Sequence, residues 1–127
     1  MLFVVGIRRR LLARRDRFSF MRATVTDTGK TSFILVGLAE KLPVAESLNL
    51  LSELGTLDIH VSALIINRRS PADAGAFMAA RRKREEAHLA HLRKRTGDLP
   101  LLQVPLLARE LTGTKALGEL AEVLSEL

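Results

Sequence analysis

Phe33 to Leu38 is an unbroken apolar run, and Val61 to Ile66 is nearly one. Between them Val44, Leu48, Leu51 and Leu54 recur at helical spacing, after a proline at 43 and before a glycine at 55. A short continuous apolar run predicts a strand covered on both faces, whereas recurrence every three or four residues predicts an amphipathic helix. Pro43 suits the first turn of that helix and Gly55 its end. Strand, helix and strand in this order make a parallel βαβ unit, and in such sheets ligands bind beyond the carboxyl ends of the strands. Functional residues are therefore expected at 37–46 and 67–71.

The same reading extends to both ends of the chain. Residues 8–22 carry Leu11, Leu12, Phe18 and Met21 among arginines, which predicts a basic helix, and Thr24 to Lys30 reads as a turn. Ser70, Pro71 and Asp73 open a long helix over 76–95, polar apart from Phe77, Met78, Leu89 and Leu92, with Glu85 and Glu86 as surface partners of neighbouring arginines. Leu101 to Val104 is a third strand stopped by Pro105. A last helix runs from Thr114 with Leu117, Leu120, Val123, Leu124 and Leu127 as its apolar face. The predicted class is α/β, a basic helix followed by βαβαβα, in a single unit over 1–127. Three parallel strands are few, since a mean sheet holds about five or six. The sheet is expected to be completed by a partner or to keep an exposed edge.

Composition narrows the chemistry. With no cysteine there is no disulfide, thiolate metal site or cysteine nucleophile, which fits a reducing, cytoplasmic setting. Five phenylalanines without tyrosine or tryptophan leave little to stack on bases, which argues against a nucleic-acid platform. The formal charge of +6 is concentrated at Arg8 to Arg22 and Arg81 to Arg95. The apolar runs are too short to span a bilayer, which needs about 20 residues. Met1 to Ile7 places its apolar part before the arginines, the reverse of a signal peptide. His88 and His91 lie three apart without a further ligand set by spacing, so no metal site is expected.

One set of segments, taken in order, resembles a known family. It comprises Thr31 to Val36; Glu40, Leu42, Pro43, Glu46 and Ser47; Ala63 to Arg69 with Ser70 to Asp73; and Val104 to Leu107 with Glu110 and Gly113. These are similar to the carboxyl-terminal half of ArsA-type ATPases, which include arsenite-pump ATPases and the ATPases that deliver tail-anchored membrane proteins. The resemblance spans about residues 8–127 and implies a partial P-loop NTPase fold working as a nucleotide-sandwiching homodimer. Met1 to Ile7 matches the family poorly, as a leader would in a truncated gene or at a start codon inside a longer reading frame. Alanine at 39, where the family commonly has proline, is a departure.

By that resemblance Asn67 and Pro105 with Leu106 form the adenine side of a nucleotide site. A carboxamide pairs well with adenine N6 and N7; an asparagine at a strand end is equally a turn former. Glu40 and Glu46 would lie in a loop near nucleotide and dimer partner, although Glu46 is also explained by attraction to the positive end of its helix. The phosphate side is another matter. Gly29, Lys30 and Thr31 follow a threonine at 24 where a P-loop needs glycine, and they precede a strand where a P-loop precedes a helix. They read as a tight turn. ATP is the implied cofactor, with magnesium only when an amino-terminal P-loop half is supplied, because phosphoryl transfer depends on positioned phosphate, metal and water. The implied partners are that half or a second copy, with peripheral contact to a membrane partner. A different class of function is a non-enzymatic module whose basic helices bind a partner protein, acidic lipid or nucleic acid.

Overall fold

The computed structural model describes residues 2–125. Among them α1 (Leu2–Thr26) is followed by β1 (Phe33–Leu38), α2 (Lys41–Thr56), β2 (Val61–Arg69), α3 (Gly75–Thr96), β3 (Leu101–Pro105) and α4 (Gly113–Ser125). The three strands form one parallel sheet in the order β1-β2-β3. The α/β class, the parallel sheet and the leading basic helix are those expected. No helix among the described residues is long and apolar enough to cross a membrane.

Several boundaries differ from the sequence reading, each for a local reason. α2 begins two residues before Pro43, with Glu40 as its extended N-cap residue. Proline is tolerated there because the first few helical N–H groups have no partner within the helix anyway. The first helical bond is Val44 N–H to the Glu40 carbonyl at 3.0 Å. α3 begins only at Gly75, and neither Ser70 nor Asp73 caps it; its N-cap residue is Ala74, which makes no side-chain cap bond. Gly97 ends that helix at φ 60° and donates to the Arg93 carbonyl at 3.0 Å, with Arg93, Lys94 and Arg95 in the last turn. Three cations there complement the negative end of the helix dipole. α1 is longer than predicted at both ends, and β2 continues three residues past Ile66.

The core lies on one side of the sheet. Leu64 and Ile66 of β2 pack with Val44 of α2, Leu89 and Leu92 of α3, and Ala39. Leu35, Leu48 and Leu51 extend the cluster. β1 and α2 approach closely because residue 37 is glycine: a Cβ there would stand 3.0 Å from Ser47 Oγ.

The second face of the sheet is a correction. Strand β1 was expected to be covered on both sides, yet Ile34 and Val36 are 54% and 57% exposed. α4 stands over part of that face, over Val36, Ile65 and Val104, with Leu120 and Leu124 turned toward them across a cavity rather than packed against them. Leu117 on the predicted apolar face of α4 is exposed, and Leu127 lies outside the described residues. Phe77 is likewise 70% exposed, so the buried stripe of α3 is narrower than its apolar residues imply.

The two faces should respond differently to substitution. Leu89→Ala, at a fully buried site, should cost about 2–5 kcal/mol in urea unfolding, whereas Ile34→Thr on the open face should stay within about 0.5 kcal/mol. Comparable losses at both would mean that the second face is packed in solution.

Candidate functional site

The carboxyl end of β2 is built around an irregularity. Ile66 pairs with Gln103 and Arg69 with Pro105, so three steps along β2 oppose two along β3. The extra residue makes a bulge, and Arg68 sits in it with φ 57°. A left-handed conformation costs a side-chain-bearing residue about 1–2 kcal/mol. Asn67 offsets part of that cost, since its Oδ1 accepts from the Arg68 N–H at 2.9 Å. The bulge also resets the alternation of side chains. Ile66 faces the α3 side, and without an extra residue Arg69 would face the other. With it, Arg69 returns to α3 while Asn67 stays on the side of α4.

Arg69 is 2% exposed and reaches carboxylates on α3. Its guanidinium pairs with Glu85 and Glu86, and its Nε donates to Gln103 Oε1 at 2.7 Å. Glu85 is itself buried at 4% and accepts from the Ser70 hydroxyl at 2.6 Å, the Ser70 N–H at 3.1 Å and Arg81 Nε at 3.3 Å. Arg82 donates to the Ser70 carbonyl at 2.7 Å. Among the described residues no buried side-chain N or O lacks a partner. Burial alone would raise the Glu85 carboxyl, but the bonds from Ser70 and Arg81 and the charge of Arg69 outweigh it and hold the group below the ordinary glutamate range.

This network overturns the reading of Glu85 as a surface partner. The signal was present in the spacing, because Glu85, Leu89 and Leu92 share one helical stripe. An acid in register with two buried leucines needs a buried cation, and Arg69 is that cation.

Two hollows meet at this end of the sheet. The larger, about 550 Å³, is lined by Asn67, Ile65, Val104, Leu106, Leu120 and Val36 among others. Its size and its apolar walls around a few polar groups are those of a small-molecule site. Asn67 and Leu106 are thus brought together. Pro105 is exposed and stands outside the lining; it precedes Leu106, whose N–H donates to the Arg69 carbonyl at 2.9 Å. The smaller, about 60 Å³, joins Asn67 and Arg68 to Leu38, Glu40 and Arg81. Glu40 is held there by Arg81 Nη2 at 2.9 Å. Glu46 lies elsewhere, exposed on α2 and outside both linings. The first turn of α2 contains no acidic residue, so Glu46 is also too far along to complement the helix end.

The Gly29-Lys30-Thr31 segment closes on itself. Asp27 Oδ1 accepts from the Gly29 N–H at 2.9 Å, and Asp27 Oδ2 lies 3.3 Å from Lys30 Nζ. The aspartate occupies the position an anion would take, and those bonds hold its own carboxyl below the ordinary range.

A sequence model of the anion-transporting ATPase family matches residues 7–126. The chain belongs to that family. It is 30% identical over 116 residues to an ATPase ASNA1 homolog of Trypanosoma cruzi, covering 88% of this chain and 32% of that protein. It is 27% identical over 113 residues to ATPase get3 of Schizosaccharomyces pombe, covering 82% and 34%. A putative arsenical pump-driving ATPase 2 of Aquifex aeolicus is 30% identical over 115 residues, covering 90% and 38%. This anion-transporting ATPase family chain therefore spans about a third of the length of these curated relatives.

The buried network makes two expectations. Arg69→Leu should remove about 3–5 kcal/mol of stability by leaving Glu85 without its cation. The Glu85 carboxyl is depressed on folding, so its contribution is full above the ordinary glutamate pKa of about 4.3 and is lost as pH falls through the lower folded value. Glu85→Gln should therefore be less stable than the parent at neutral pH and show a shallower acid limb below about pH 4. Parallel acid limbs in the two proteins would count against the pair.

Proposed function

We propose that this chain supplies the adenine side of a nucleotide site in an ATPase of the anion-transporting family. The observation that carries the reading is the convergence of Asn67 and Leu106 on one largely apolar cavity at the carboxyl end of the sheet. The Asn67 Nδ2 donates to adenine N7, and its Oδ1, which has a second lone pair beyond the one facing Arg68, accepts from N6. Val104 and Leu106 provide the apolar wall, and Pro105 fixes the backbone that presents Leu106. Glu40, held by Arg81, stands at the neighbouring cleft, where it borders the sugar or a dimer partner; Glu46 serves on the exposed α2 surface. ATP is the ligand in this reading. The phosphates and magnesium are held by a P-loop segment that these 127 residues do not contain, provided by an amino-terminal half in the cytoplasm, and a second copy of the chain is the alternative partner, at the dimer contact. The chain by itself then binds without hydrolysing. Peripheral contact with a membrane partner belongs to the assembled ATPase.

Calorimetric titration with ATP, ADP and GTP tests this. Adenine nucleotides should bind in preference to GTP, and Asn67→Ala should weaken them by about tenfold or more, the worth of one bidentate base contact. Equal binding of GTP, or an unchanged affinity in a folded Asn67→Ala protein, rejects the adenine assignment.

A further inference from the structure

The exposed α1 is the feature that the nucleotide reading leaves unused. Every side chain from Val4 to Ala23 is exposed. Helices in proteins owe most of their stability to a packed face, so a free helix of 25 residues calls for something to pack on.

Its residues show what kind of surface fits. Val4, Leu11, Phe18 and Val25 recur every seven positions, and Ile7, Arg14 and Met21 form the second series three positions later. These are the a and d positions of a coiled-coil seam over three heptads. The positions that flank the seam are Arg8, Arg15 and Arg22 on one side and Arg10 and Arg17 on the other. Within the seam the Arg14 guanidinium lies 5.8 Å from the Phe18 ring, so the one cation at a core position is already stacked against its neighbour.

This arrangement selects among occupants. A second α1 would face arginine with arginine along both flanks, which like-charge repulsion disfavours. A lipid surface favours a wide apolar face with a large moment. Here Val5, Leu12 and Phe20 lie off the seam, and five of the seven arginines flank it closely on both sides, so no wide apolar face exists. α1 carries seven arginines against one aspartate, and that aspartate, Asp16, is already paired with Arg15. A narrow apolar seam between two basic rails is matched by a helix with the same seam between two acidic rails.

We propose that α1 is a docking helix for an acidic amphipathic helix of a partner protein. The partner presents leucine-like residues at a and d, and glutamate or aspartate at the positions facing Arg8, Arg10, Arg15, Arg17 and Arg22. The pairing sets partner choice by flank charge and affinity by the seam.

The test uses the full chain and a designed probe of about four heptads with leucine at a and d and glutamate at e and g. Comparison probes are a peptide of identical composition with its heptads scrambled and one with lysine at e and g. Anisotropy titration should show binding to the glutamate heptad about tenfold or more tighter than to either comparison, weakening with salt as flank charges are screened. Leu11→Asp and Phe18→Asp, both at exposed sites that leave the core intact, should each weaken it by about tenfold or more. Reversal of Arg15 and Arg17 to glutamate should shift preference toward the lysine probe. Equal binding to the scrambled peptide overturns the proposal. So does a homodimer in light scattering that Leu11→Asp dissociates, which would make a second copy the occupant. Binding to phosphatidylserine vesicles without discrimination among the peptides would assign the helix to a membrane surface and likewise reject it.

Discussion

A buried arginine at the end of a strand is the constraint around which the rest of this domain is arranged. Arg69 takes its position because an extra residue in β2 turns it toward α3, and Glu85 meets it there from the stripe that also carries Leu89 and Leu92. Burying two charges costs several kcal/mol each unless their remaining bonds are satisfied. Ser70, Arg81, Gln103 and Glu86 satisfy them. The network ties β2 and β3 to the first half of α3, and through Arg81 it reaches Glu40 at the exit of β1. One cluster therefore orients the ends of all three strands.

The same bulge accounts for the position of Asn67. Turning Arg69 to one side leaves Asn67 on the other, beside Ile65, Val104 and Leu106. Its carbonyl oxygen steadies the left-handed Arg68, so a side chain that lines the cavity is also the one that makes the bulge tolerable. A change at this residue alters both the cavity wall and the backbone that shapes it.

The two sides of the sheet differ in a way that bears on assembly. One side holds a packed core under α2 and α3, while the other presents Ile34 and Val36 to solvent beside a cavity that α4 only partly closes. All-parallel sheets are normally covered on both faces. Ile34, Val36 and the apolar residues of α1 are surfaces that the described residues leave exposed.

Much of the fold was legible because the periods of burial are local properties. The apolar runs at 33–38 and 61–66 and the helical spacing of Val44, Leu48, Leu51 and Leu54 depend only on which residues neighbour one another along the chain. The α/β class and the parallel sheet could be read from them; the family came from the resemblance of an ordered set of segments, and the turn expected over Thr24 to Lys30 is confined to its later part because α1 continues to Thr26. What only the tertiary structure decided involves groups distant in sequence. Glu85 looked like a surface acid because its neighbours are arginines, and its burial depends on Arg69, sixteen residues away across the fold. The openness of the second face could not be read from β1, since an apolar strand has the same composition whether or not a layer covers it. The bulge at Arg68 has no pattern of its own in the chain. It is defined by the pairing of β2 with β3, where the register shifts between Ile66 and Arg69 and Arg69 comes to face Glu85, a relation that exists only once the strands are paired.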